Sequence, residues 1–259
     1  MSPESPLINA LVFDSPEEVA LAAAERFAGN AREAITEHGV FSVALAGGNT
    51  PRRVYELLAS NPFRDLIEWS SVHLFFGDER CVPPDHPDSN YGMVYKALIS
   101  AIDIPAVNVH RMLGEGNAEE SAASYEEELR DFFAEVSWPR FDLVLLGMGE
   151  DGHTASLFPG SDAVMEESKW VVATRMEKPL EIQSQQRLTL TLPVFNHAAH
   201  VVFLVTGKGK AERLAEVLDL PHGARREKTA SLPAQLIQPL NGSLEWLVDK
   251  AAASIPVEL

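Results

Sequence analysis

FDLVLLGMGEDGHTASLFPGS, residues 141–161, decides how the rest of the chain is read. Its first six residues form a near-continuous apolar run, the kind carried by a strand buried on both faces. Gly147 closes the run, and Gly147 to Gly152 formally matches G-x-G-x-x-G. A dinucleotide site fails on chemistry. Glu150 and Asp151 fall in the loop that would cradle a pyrophosphate, and the motif lies mid-chain rather than in a first βαβ unit. What the segment offers instead is His153, set among small residues beside two carboxylates at the carboxyl end of a strand. A carboxylate near a histidine stabilises the imidazolium and can fix its tautomer, which is how a general base is built. The competing structural explanation is a histidine that caps the next helix.

Outward from this segment, strand-like and helix-like stretches alternate. Strands are expected at 8–13, 40–45, 71–76, 107–112, 141–146, 169–174 and 200–206. Helices are expected at 16–37 with Ser15 as N-cap, and at 51–60, 91–100, 118–135, 208–218 and 243–253. Apolar strands separated by helices imply a three-layer α/β/α fold around a mostly parallel sheet covered on both faces. No linker or repeat divides the chain, so one domain over residues 1–259 is expected.

Composition narrows the function. A net charge of -17, from 38 acidic and 21 basic residues, argues against a nucleic-acid binder, which needs lysine and arginine stripes. No apolar run approaches the length of a membrane span, and the first residues lack a leader pattern, so no membrane association is expected. The single cysteine, Cys81, excludes an internal disulfide or a multi-cysteine zinc site and suits a reducing, cytoplasmic setting.

In open parallel sheets, ligands bind beyond the carboxyl ends of the strands. Two further strand ends stand out. Ala46-Gly47-Gly48-Asn49-Thr50-Pro51 is a glycine turn opening onto a helix, with Thr50 suited to the N-cap and Pro51 to the first turn. Free N–H groups and the helix dipole make it either a phosphate site or a plain, well-capped turn. Phe76-Gly77-Asp78-Glu79-Arg80 puts three charged residues after an apolar strand, either as a solvated loop or as site residues. Arg80 has the planar fork to hold a carboxylate or phosphate, with Asp78 or Glu79 to position it. Lys208 and Lys210 begin a helix, where a cation opposes the dipole unless it serves an anionic ligand. His197 and His200 lack a third ligand at metal spacing, no G-x-S-x-G elbow is present, and Cys81 reads as a small buried residue.

Together, the segments 44–58, 73–99, 141–161, 187–196, 203–214 and 231–239 resemble the 6-phosphogluconolactonase family, in family order over most of the chain. One departure is Ala46-Gly47-Gly48-Asn49-Thr50, where many relatives carry Ser-Gly-Gly-Ser-Thr; it bears on which side chain at position 49 touches the substrate. The resemblance implies a fold shared with glucosamine-6-phosphate deaminases and ribose-5-phosphate isomerases. It also implies a phosphorylated sugar lactone as small-molecule partner, with neither metal nor organic cofactor. It makes His153 the catalytic base, oriented by Asp151 or Glu150, and gives Arg80 a substrate contact. Gly47, Gly48, Thr50, Arg187 and Lys210 would then hold the 6-phosphate, with Lys208 as the alternative lysine and Asn49 and Asp78 as further substrate contacts. The rivals are a deaminase or isomerase using Asp78 for proton transfer at C2, and a sugar-phosphate sensor that needs no base.

Overall fold

The computed structural model describes residues 9–134, 136–176, 185–218 and 232–255. Residues 8, 135 and 231, at the margins of expected elements or matching segments, lie outside that set. Six strands form one parallel sheet in the order β1-β9-β8-β5-β2-β3. They are β1 (Asn9–Phe13), β2 (Phe41–Leu45), β3 (Val72–Phe76), β5 (Leu143–Gly147), β8 (His200–Val205) and β9 (Ser243–Asp249). The inner strands are buried almost end to end, as two covered faces require. On one face, Phe27 of α1 (Pro16–His38) packs edge-on against Phe41 with centroids 5.2 Å apart. Strand alternation sends Phe75 to the other face, where it meets Phe132 and Phe133 of α5 (Ala118–Phe133). The result is a three-layer α/β arrangement. Ser15 caps α1 as expected, accepting from the Glu18 N–H.

The strand expected at 169–174 lies in a second, antiparallel sheet beside the parallel one. β6 (Val171–Arg175) lies antiparallel to β7 (Gln186–Leu190), which lies antiparallel to β4 (Asp78–Arg80). Gly77 joins the two sheets. Its N–H donates to Leu45 O of β2, and its carbonyl accepts from Leu190 of β7. One hydrophobic cluster draws on both sheets, including Leu188 and Leu190 beside Val43 and Leu145.

Other expectations shift for local reasons. The helix expected at 243–253 is strand β9: Leu244, Leu247 and Val248 carry helical spacing, but β8 and β1 pair with the segment on both sides. Trp246 stacks on Phe203 of β8 at 3.8 Å. The strand expected at 107–112 is a single 3₁₀ turn, Ala106–Asn108, followed by one bridge between Val109 and Leu74. There the Asn108 carboxamide donates to Ser70 O and Val72 O, taking the place of a ladder along the edge of β3. The 208–218 helix begins as a 3₁₀ turn at Lys208–Lys210 and becomes α8 only at Ala211–Leu218. The helix expected at 91–100 is α4 (Asn90–Ala97), capped by Ser89 and followed by a 3₁₀ turn. No described helix is long and apolar enough to cross a membrane.

Candidate active site

β8, β5, β2 and β3 are neighbours in a parallel sheet, so their carboxyl ends emerge side by side. After β5 the chain closes a tight loop: the Gly149 N–H donates to His153 O and the Gly152 N–H to Gly149 O. Gly152 takes φ +83°, in the left-handed region that favours glycine. A Cβ on Gly149 would lie 2.1 Å from His153 Nδ1 and 2.6 Å from Asp151 Oδ1. The glycines that mimic a nucleotide motif are therefore the seat of a histidine–carboxylate pair. His153 Nδ1 lies 2.5 Å from Asp151 Oδ1, which also accepts the His153 backbone N–H. Half-burial pushes the Asp151 carboxyl up, but the hydrogen bond and charge of His153 outweigh it and bring its pKa down to about 2. An ionised Asp151 only accepts, so Nδ1 is the donor, and in the neutral imidazole this tautomer leaves the lone pair on Nε2. His153 caps no helix, because a bridged turn from Thr154 to Leu157 follows it.

Glu150 does not share this role. Its carboxylate covers Gly209, where a Cβ would lie 2.4 Å from Oε1. Lys210 Nζ donates to Met148 O at 2.6 Å. Burial pushes the Lys210 ammonium down, partly offset by the charges of Glu150 and Asp151. Lys208 is exposed.

The glycine turn leads into α2 (Asn49–Leu58), whose N-cap is Gly48 at φ +101°. Thr50 is therefore inside the first turn rather than at the cap as expected, and its hydroxyl meets Thr206 at the end of β8 at 2.7 Å. The Asn49 and Thr50 N–H groups belong to the first turn, which has no intrahelical acceptors. Asn49 is exposed. Buried Tyr55 clamps the turn from below, donating to Ala46 O and accepting from Ala46 N–H, and burial pushes its phenol up.

Asp78-Glu79-Arg80 is not a solvated loop. Asp78 is buried, with Oδ1 accepting from Asn90 Nδ2 and Oδ2 from Ser156 Oγ. Glu79 accepts from three backbone N–H groups, of Arg80, Asn90 and Tyr91, and from the Ser89 hydroxyl. Burial pushes its carboxyl up against the pull of those donors. Arg80 donates to Asp88 O and lies opposite Arg187 in the β4–β7 ladder. Arg187 is 2% exposed, and burial followed by the Arg80 charge pushes it down.

A cleft of about 1020 Å³ opens over this end of the sheet. It brings together Glu150, Asp151, His153 and Lys210 of the expected residues; Gly47, Gly48, Asn49, Thr50, Asp78, Arg80, Arg187 and Lys208 are not part of its lining. Its walls add Phe158, Arg175, Gln186, Arg213 and Leu232, which sequence reasoning missed. Arg213 was visible only as a basic residue soon after the lysine turn, and Arg175 only as the residue closing a strand. Elsewhere, His197 bonds Pro193 O and His200 bonds Ser243, while the Cys81 thiol is pushed up by burial, the reverse of an activated nucleophile. Among the described residues, no group of three or more His, Cys, Asp and Glu is arranged to hold a metal.

Three layers, with a carboxylate-held histidine where the parallel strands end, define an α/β protein of the kind that works on small ligands beyond its sheet. The profile described as glucosamine-6-phosphate isomerases/6-phosphogluconolactonase matches residues 14–246, and the chain belongs to that family. It is 43% identical over 223 residues to a 6-phosphogluconolactonase of a Synechocystis species, covering 85% of this chain and 86% of that protein. The solved 6-phosphogluconolactonase of Trypanosoma brucei superposes with a TM-score of 0.85 at 29% identity, over 96% of this chain and 99% of that one. A monomeric glucosamine-6-phosphate deaminase superposes at 0.81 over 96% and 100%, but at 19% identity, a likeness of fold alone.

Proposed function

We propose that the chain hydrolyses 6-phospho-D-glucono-1,5-lactone to 6-phospho-D-gluconate, in the oxidative branch of the pentose phosphate pathway. The observation that carries the reading is the His153–Asp151 pair lining the cleft, with Nδ1 held 2.5 Å from the carboxylate. A δ-lactone is an activated ester, so a water and a base suffice. His153 takes a proton from the water as it attacks C1, Asp151 stabilises the imidazolium, and the proton returns to the departing C5 oxygen. Arg80, or a backbone N–H, steadies the oxyanion. The 6-phosphate is held by N–H groups of the 47–50 turn, with Lys210 and Arg187 supplying charge. Binding that remote dianion orients the ring for attack. Lys210, Arg175 and Arg213 along the cleft explain how a chain of charge -17 accepts an anion.

The reading treats residues 1–259 as one domain, supported by the single cluster spanning both sheets. It also takes the enzyme to be cytoplasmic, supported by the lone cysteine. The deaminase reading is not favoured, because both Asp78 oxygens are buried and occupied by neutral donors. The test is the hydrolysis rate of freshly generated 6-phosphogluconolactone over its spontaneous background. Acceleration by wild type and none by His153→Ala is expected. Ammonia release from glucosamine 6-phosphate, without lactone hydrolysis, would overturn the proposal.

A further inference from the structure

The glycine turn and the His153 loop leave different strands, yet a substrate held at its phosphate and attacked at C1 needs the two at a fixed separation. One buried path runs between them, by packing of Asn90 against the turn and then by hydrogen bonds through Asp78 to Ser156. The Asn90 carboxamide lies against the turn: a Cβ on Gly47 would fall 1.9 Å from Asn90 Oδ1. The same group donates through Nδ2 to Asp78 O at 2.9 Å and to Asp78 Oδ1 at 3.1 Å. Asp78 Oδ2 then accepts from Ser156 Oγ at 2.7 Å, three residues beyond His153. Asn90, Asp78 and Ser156 are 2%, 8% and 1% exposed. Water does not compete at such depth, and an unmade hydrogen bond there is costly, so the path is stiff.

We propose that Asn90 is a positioning residue that couples the phosphate turn to the catalytic histidine. The inference rests on the proposed reading of both ends. The Asn90 side chain is separable from the start of α4, because the hydrogen bond to Glu79 comes from the Asn90 backbone N–H, a donor that the serine and aspartate variants keep. Among the described residues, its carboxamide donates to Asp78 alone and packs against Gly47. Losing it frees the turn to shift against His153, and misplacement of about 1 Å can cost on the order of 100-fold in rate. The loss falls on a substrate that uses both ends at once. A lactone without phosphate uses only the His153 end and is spared.

The experiment compares kcat/KM for 6-phosphogluconolactone and for unphosphorylated glucono-1,5-lactone in wild type, Asn90→Ser, Asn90→Asp and Ser156→Ala, with the folded fraction of each measured by circular dichroism. Wild type is measured first: no preference for the phosphorylated lactone would overturn the underlying reading and this inference with it. Given that preference, a drop of about 10- to 100-fold in it for both Asn90 variants is expected. Ser156→Ala, which breaks the same path at its far end, is expected to lower the preference as well. Equal losses on both lactones, or losses matching the folded fraction, would make Asn90 merely structural and overturn the coupling. If both Asn90 variants fail to fold, Ser156→Ala decides in the same way, through the ratio of the two substrates.

Discussion

The segments that follow β5 and β3 each present a carboxylate at the same end of the sheet, and the two carboxylates have opposite fates. Asp151 is half-buried, faces a histidine that can carry charge, and is held near pKa 2. Glu79 is almost wholly buried, faces only neutral donors, and is pushed up. The lesson is that the partner, rather than position at a strand end, decides whether an acid works electrostatically or serves as a clip. Asp151 fixes a tautomer, whereas Glu79 gathers the backbone of residues 80–91 beneath the site.

The contrast can be broken most forcefully at the base. His153→Ala should lower kcat by about 10²–10⁴-fold while the protein stays folded, measured as lactone hydrolysis above background. Next in size is Gly149→Ala. The new Cβ collides with both members of the pair, so a loss of about 10²-fold is expected. Gly147→Ala meets nothing within 4 Å and should retain near wild-type rates in the same assay. Equal loss in both glycine variants would mean that the loop, rather than the His153–Asp151 contact, is being damaged.

On the other side, Glu79→Ala should reveal itself in stability, leaving buried donors unpaired at about 1–3 kcal/mol, read as a lowered denaturation midpoint. The smallest effect sharpens the comparison through pH. Asp151 is depressed, so its contribution to stability is present above its unfolded pKa and fades as pH falls from about 3.8 toward 2. Glu79 is raised, so its contribution is present below its unfolded pKa and fades as pH rises through the folded value. The melting-temperature difference between wild type and Asp151→Asn should grow with pH in the acid range, and that between wild type and Glu79→Gln should shrink. Slopes of the same sign would remove the distinction.

Legibility in the sequence followed the range of the interactions involved. β2, β5 and β8 were readable because, Ser42 and His200 apart, their own residues are apolar. His153 and Asp151 were readable as a pair because they lie two positions apart, but choosing Asp151 over Glu150 required the left-handed turn at Gly152. β4 was hidden, since Asp-Glu-Arg resembles a surface loop until Asn90 and Ser156 arrive from 12 and 78 residues away to satisfy Asp78. β9 was misread because Leu244, Leu247 and Val248 fit a helix equally well, and only the flanking strands decide between the two periods. Arg175 and Arg213 carry no periodic signal at all, and only the packing of β6 and α8 around one cleft brings them to it.

The location of β9 also bears on how the chain is made. Asn9 pairs with Glu245 and Phe13 with Asp249, so the first described strand finds its neighbour in the last described one. Until the ribosome has released residues 243–249, β1 has no described partner, β8 has one bare edge, and Asp249 is not yet there to accept the Gly207 N–H beside the lysine turn. Pairing across so long a stretch of chain is slow and leaves strand edges open in the meantime. Nascent chains stalled before residue 243 would therefore carry a finished base loop on an unfinished sheet, a state in which chaperone contact is expected to be greatest.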